Sequence, residues 1–348
     1  MKISTSRINA IMSNKYNWPV VGHDKIKNFL QNSIEKDNPA HAYLFHGCQG
    51  IGKVEIAMLF AKSLICLKQG DSLPCNHCRS CEQFDKLVYP DLFILEREMN
   101  EKTDKKKQFV TVNQVRDLQE KINKRAFLNS YKIVIIKEAH LLNKESSNSL
   151  LKTLEEPTQK TIIILVTDNK EAILPTIISR CQLIKFQPVD SDSIYSYLVD
   201  EKQVDRTTAK EIARIVNGRA NKADEYQSDS EKFQNDKQLN RDLLDLLKKS
   251  LTQRFATVDK LIRKGSTIEE VNSLFDKLIV LFRDLILINS ENSNLIVNIY
   301  LENELTALAK SLSSKKIVSN INILEKAKEL VQKNVNSKLV FENVLVYL

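Results

Sequence analysis

The chain has 348 residues, 42% of them hydrophobic, enough for two or three globular domains. No apolar run reaches membrane-spanning length, and the polar N-terminus, Met1 to Asn17, lacks the apolar core of a signal peptide, so a cytoplasmic location is expected. The net charge of +8 permits contact with nucleic acid or acidic partners without requiring it.

The first expected element is an apolar strand, Ala42-Tyr43-Leu44-Phe45. It runs into Gly47-Cys48-Gln49-Gly50-Ile51-Gly52-Lys53-Val54. This fits the phosphate-loop pattern G-x-x-x-x-G-K-[ST] everywhere but at its last position. Such a loop offers backbone N–H groups and a lysine to phosphates. Its last residue should give a hydroxyl to Mg²⁺, and Val54 has none. Gly47, Gly50 and Gly52 are three of only 7 glycines, concentrated where backbone must approach a ligand. A helix is expected to follow over 55–67.

Four of the 6 cysteines come next, spaced Cys66-x8-Cys75-x2-Cys78-x2-Cys81. Thiolates at C-x-x-C spacing chelate one ion from a tight turn, and four suit tetrahedral Zn²⁺. Disulfides are the poorer reading in a cytoplasmic protein. Four protein ligands leave no open position, so the zinc should be structural. His77 stands between two of the cysteines as a competing ligand. Cys48 and Cys181 stand apart, the latter as a core residue.

Further strands are expected at Leu92–Leu95, 132–137, Thr161–Thr167 and 182–186. The lysine-rich stretch 101–108 reads as a solvated loop. Val112, Val115, Leu118 and Ile122 recur at helical spacing, and a second helix, Lys144–Glu155, stops before Pro157. Strands alternating with helices imply a parallel sheet covered on both faces, with its ligand site at the loop after the first strand. All 7 prolines lie at or before Pro188. The remainder has two glycines, Gly218 and Gly265, and should be almost wholly helical. Amphipathic spacing supports helices within 239–262, 271–288 and 317–331.

A phosphate loop followed by this cysteine cluster resembles the bacterial clamp-loader branch of the AAA+ ATPases, and the resemblance continues in order over residues 20–190. Tyr89-Pro90-Asp91 is similar to an aromatic- or His-Pro-Asp segment of that family. The run Lys132-Ile-Val-Ile-Ile-Lys137-Glu138-Ala-His140 is similar to its Walker B strand. Ser149-Leu-Leu-Lys-Thr-Leu-Glu-Glu-Pro157 is similar to its N-A-L-L-K-T-L-E-E-P helix end, and Ser179-Arg180-Cys181 to its S-R-C motif. The resemblance implies an α/β AAA+ module over 1–186 carrying a zinc module at 66–81. A helical lid over 187–235 and an all-α collar over 236–348 should follow.

Departures from the family pattern choose the type of subunit. The Walker B pair should be Asp-Glu, with Asp supporting Mg²⁺ and Glu orienting water. Here it is Lys137-Glu138. The lid motif G-S-x-R-D-A is Gly218-Arg219-Ala220-Asn221-Lys222-Ala223, with Asn221 at the position of the arginine that touches the γ-phosphate. Three catalytic groups are changed while the structural signatures persist. That pattern resembles the delta-prime family of the DNA polymerase III clamp loader, a stator that hydrolyses nothing. The alternative is an active gamma/tau-type ATPase, and a zinc-bearing nucleic-acid-binding protein is a third reading. The resemblance further implies a vestigial nucleotide site (Gly47, Gly50, Gly52, Lys53, Glu138, Thr167) for ATP or ADP. It also implies an arginine finger, Arg180, acting on ATP held by a neighbouring subunit. Expected partners are gamma/tau and delta subunits, the sliding clamp and, through the complex, primed DNA. His23 and His140 read as structural.

Overall fold

The computed structural model describes residues 15–68, 72–100, 105–107, 109–124, 126, 131–262, 266–333 and 335–348. Residues 1–14 of the polar N-terminus, and 101–104 and 108 of the lysine-rich stretch, lie outside these. The chain forms two compact units. One is Met1–Ser193 with Gly218–Asn221, and the other is Ile194–Asn217 with Lys222–Leu348.

The first unit opens with helix α1 (Asp24–Glu35), strand β1 (Ala42–His46), α2 (Lys53–Ile65) and α3 (Arg79–Asp85). Strand β2 (Leu92–Leu95) follows, then a two-stranded antiparallel pair, β3 (Met99–Asn100) with β4 (Lys105–Lys106). Part of the lysine-rich stretch is thus strand where a loop was expected. The unit continues with α4 (Val112–Asn123), β5 (Lys132–Ile136), α5 (Lys144–Glu155), β6 (Thr161–Thr167), α6 (Pro175–Ile178) and β7 (Gln182–Lys185).

Five strands form one sheet in the order β2-β5-β6-β1-β7, every pairing parallel. The three central strands are apolar on both faces because helices cover both. Tyr43, Phe45, Ile133, Ile135, Ile162 and Ile164 pack with Phe60 of α2 and Leu30 of α1. Their neighbours Leu44, Val134, Ile136, Ile163 and Leu165 pack on the other face with Val115 of α4 and Leu150 of α5. Helix α4 starts at a capping box in which Thr111 and Gln114 bond each other's backbone N–H groups. In register, His46 stands opposite Thr167 of β6 on one side and Lys185 of β7 on the other. The loops after β1 and β6 therefore emerge side by side at the carboxyl end of the sheet. The strand order reverses there, between β1 and β6, the usual ligand position in such sheets.

Beyond β7, every element among the described residues is helical. They are α7 (Ser191–Ser196), a π-helical turn (Tyr197–Glu201), α8 (Arg206–Ile215), α9 (Ala220–Ser228), α10 (Ser230–Lys248), α11 (Leu251–Leu261), α12 (Ile268–Asn289), α13 (Glu302–Ala309), α14 (Ser314–Gln332) and α15 (Ser337–Tyr347), with short 3-10 turns between. The stretch 239–262 is divided between α10 and α11, because a capping box between Ser250 and Gln253 starts a new helix. Leu243, Phe275, Phe282, Leu324 and Phe341 share one apolar core in the second unit. Asp236 of α10 is a polar hub there, paired with Lys222 at 3.0 Å and Lys277 at 3.1 Å, and accepting from the Tyr226 hydroxyl. The buried Asp284 accepts from the backbone N–H groups of Val297 and Asn298, both at 2.9 Å.

Candidate functional site

The phosphate loop joins β1 to α2 and places Lys53 in the first turn of that helix. Glycine is required at position 47. Its φ is +149°, and a Cβ there would lie 2.5 Å from the Phe186 carbonyl oxygen. Gly52 caps α2 at φ +96°, with Val20, Asn221 and His23 close by. The stem of Arg219 lies over Gly50, its carbons 3.6–3.9 Å from where a Cβ would stand. His23 Nε2 bonds the Ile51 carbonyl at 2.6 Å, and its ring meets Phe186 edge-on. Burial, with Lys27 and Lys53 adding repulsion, holds the His23 pKa below the usual histidine value.

Lys53 is buried, and its Nζ donates to the carbonyls of Gly47 (2.8 Å) and Cys48 and pairs with Asp168 at 2.7 Å. Asp168 directly follows β6. Thr167, the last residue of that strand, is fully buried. Its Oγ1 bonds His140 Nδ1 at 3.2 Å and the Asn169 carbonyl at 2.9 Å. Burial lowers the His140 pKa. His23 and His140 are thus structural partners of the site.

Glu138 follows β5 in the left-handed conformation, φ 52°. Arg97 holds both of its carboxylate oxygens, Nε to Oε2 at 3.0 Å and Nη2 to Oε1 at 2.9 Å. Lys137 pairs with Glu96 at 3.5 Å. Val54 packs against the apolar cluster beneath the loop. The structure therefore brings Gly47, Gly50, Gly52, Lys53 and Thr167 to one end of the sheet, with Glu138 just beyond the end of the adjacent strand β5, while Lys53 and Glu138 are each occupied by an internal ion pair. Asp168 and Arg97 escape sequence reasoning because each meets its partner across the fold.

The Sγ atoms of Cys66, Cys75, Cys78 and Cys81 lie within 4.8 Å of one another, and the Cys75–Cys81 separation is 4.0 Å. A tetrahedron with Zn–S bonds of about 2.3 Å has S···S edges of about 3.8 Å, so the donor set fits a four-coordinate metal. Lys62 of α2 braces the loop by bonding Asn76 Oδ1 at 2.6 Å and pairing with Asp85 at 2.7 Å. His77 turns away, bonding the Cys75 carbonyl at 2.5 Å and Lys68 at 3.0 Å. Cys48 is exposed, while Cys181 packs against the core, where burial pushes its pKa up to about 12.

Arg180 lies just before β7. Its Nη1 donates to the Thr176 carbonyl at 2.8 Å and to Ser179 Oγ at 3.3 Å, and its Nη2 pairs with Glu155 at 2.7 Å.

A model of the family described as "DNA polymerase III, delta subunit" matches residues 22–190. DNA polymerase III subunit delta' of Bacillus subtilis is 30% identical over 327 residues, spanning 93% of this chain and 95% of that one. The chain belongs to the delta-prime family of DNA polymerase III subunits. The delta' of Pseudomonas aeruginosa is 38% identical over 142 residues, 41% of this chain and 42% of that one. The Bacillus subtilis tau subunit is 26% identical over 350 residues, 94% of this chain and 60% of that one. No described helix is long and apolar enough to cross a membrane.

Proposed function

We propose that this chain serves in the DNA polymerase III clamp loader as a stator that hydrolyses no nucleotide and completes the active site of a neighbour. The observation that carries the reading is the state of its own phosphate site. Val54 and Lys137 stand where groups supporting Mg²⁺ belong, and phosphoryl transfer depends on that metal to offset charge. Lys53 and Glu138 are paired internally with Asp168 and Arg97. An active gamma/tau-type site would need those groups free to meet nucleotide, metal and water. Arg180, carried at the surface, is assigned to ATP bound by an adjacent motor subunit, where its planar fork would contact phosphate oxygens.

The four cysteines are assigned one structural Zn²⁺, which would fix the loop between α2 and α3 and leave no position for substrate. Gamma/tau and delta subunits are the proposed partners, with the sliding clamp and primed DNA reached through the complex, in the cytoplasm. We assign the lid to 187–235 and the assembling collar to 236–348, joined through the continuous helix α10.

Reconstitution tests the reading. The full chain, mixed with gamma/tau-type and delta-type subunits, is expected to co-elute as one complex, and clamp loading onto primed DNA should require it. Alone it should show negligible ATP hydrolysis. Motor-like turnover by the isolated chain, surviving removal of contaminants, would refute the stator reading, as would clamp loading at full rate without it.

A further inference from the structure

A lysine ammonium has three N–H donors and no more. In the phosphate loop all three have acceptors, namely the carbonyls of Gly47 and Cys48 and the carboxylate of Asp168. The side chain is only 4% exposed. The loop thus turns two of its own carbonyls toward the lysine that phosphate would normally meet. We propose that Asp168 is an internal stand-in for phosphate, an ion pair that keeps the loop closed to nucleotide.

The sheet register places this carboxylate. Thr167 pairs with His46, so Asp168 and Gly47 are each one step beyond adjacent strand ends. Its backbone is held as well. Thr167 Oγ1 accepts from the Asn169 N–H at 3.1 Å, and the Asn169 side chain bonds Ala172 N at 3.2 Å. An aspartate has a short stem, so an anchored backbone fixes its charge beside Lys53. Phosphate entering the loop would have to break the 2.7 Å pair and then sit against the displaced carboxylate, which repels it. Removing the charge of Asp168 relieves both obstacles at once. A rival role exists for the same side chain. With Lys137 replacing the Walker B carboxylate, Asp168 is the acid nearest the loop lysine, and it could support Mg²⁺ beside a bound nucleotide. The two roles predict opposite signs for one substitution.

The inference rests on residues 47–53 being a phosphate loop, but on neither assembly nor Arg180. The test is calorimetric titration of the full chain with ADP, with and without Mg²⁺. Wild type should bind weakly or undetectably, and Asp168→Asn at least tenfold more tightly, whether or not Mg²⁺ is present. Adding Lys53→Ala should abolish the gain. Asp168→Ser repeats the measurement with a smaller side chain, and thermal melting checks that each variant is folded. Equal affinities in wild type and both variants, or no binding in any, would overturn the proposal. Weaker binding by the variants only when Mg²⁺ is present would overturn it in favour of the metal-supporting role. Co-elution with partner subunits, scored separately, reports on the stator reading alone, so the two can fail independently.

Discussion

Replacing Arg180 with alanine should produce two effects of very different size. Within the chain, the guanidinium holds Glu155, the Thr176 carbonyl and Ser179. The two charged side chains are 35% and 49% exposed, so solvent screens their attraction. Exposed pairs of this kind contribute about 0–1 kcal/mol. The freed Thr176 carbonyl can return to water, so nothing buried is stranded. The isolated variant should therefore lose at most about 1 kcal/mol, or about 2–4 °C in Tm. If Arg180 reaches ATP on a neighbour, the loss at that one site should be on the order of 10³-fold, about 4 kcal/mol of transition-state stabilisation. Total turnover would fall much less, because other sites do not face this chain. Arg180→Lys should rescue poorly, since it keeps the charge but loses the fork. The assay combines melting and metal content of the isolated chain with clamp-stimulated ATP hydrolysis and clamp loading by the reconstituted complex. A variant that assembles and hydrolyses like wild type would defeat the reasoning. So would one that unfolds, since a structural arginine would then explain the effect.

Metal analysis of protein purified without chelator should find one zinc per chain. Cys78→Ser should lose it and Cys48→Ser should keep it; zinc-free wild type would dismiss the assignment. In the helical unit, burial alone would raise the pKa of Asp236, but Lys277, the Tyr226 hydroxyl and Lys222 outweigh it and hold the carboxyl at about 2. A depressed carboxylate pKa stabilises the fold above the unfolded value of about 3.9, and that stability is lost as pH falls toward 2. A shift of this size corresponds to about 2–3 kcal/mol. Asp236→Asn should cost roughly that in urea unfolding at pH 7 and almost nothing near pH 2; an equal deficit at both pH values would exclude the linkage.

Much of the first unit was legible because its strands are short, apolar and separated by turn residues. Lys144–Glu155 and Thr161–Thr167 end where the sequence places them, one stopped by the approach to Pro157, the other set by a run that is β-branched at every position but Leu165. The cysteine cluster was legible from spacing alone, since four thiolates in so short a segment have little choice but to converge. The break between α10 and α11 had a signal, the S-x-x-Q of Ser250–Gln253, which apolar periodicity alone passes over. The charge pairs of the phosphate site had no local signal. Arg97 and Glu138 lie 41 positions apart, and Lys53 meets Asp168 only because β1 and β6 are neighbours in the sheet. Which residues depart from the family's motifs can be read along the chain, whereas what Lys53 and Glu138 are paired with depends on strand order.

Helix α2 begins at Lys53 and ends at Ile65, immediately before the cluster cysteine Cys66. Its thirteen residues make a rod of about 20 Å with a phosphate loop at one tip and a cluster cysteine at the other. Lys62 fastens the cysteine end by gripping Asn76 and Asp85. A rod clamped at one tip transmits its axial position to the other, so the cysteine module would act as a distant footing for the loop. If the proposed zinc is bound there, stripping it should loosen that footing first, and hydrogen exchange would then spread along α2 from Ile65 back toward Lys53. The order of that fraying would reveal how far the anchorage reaches.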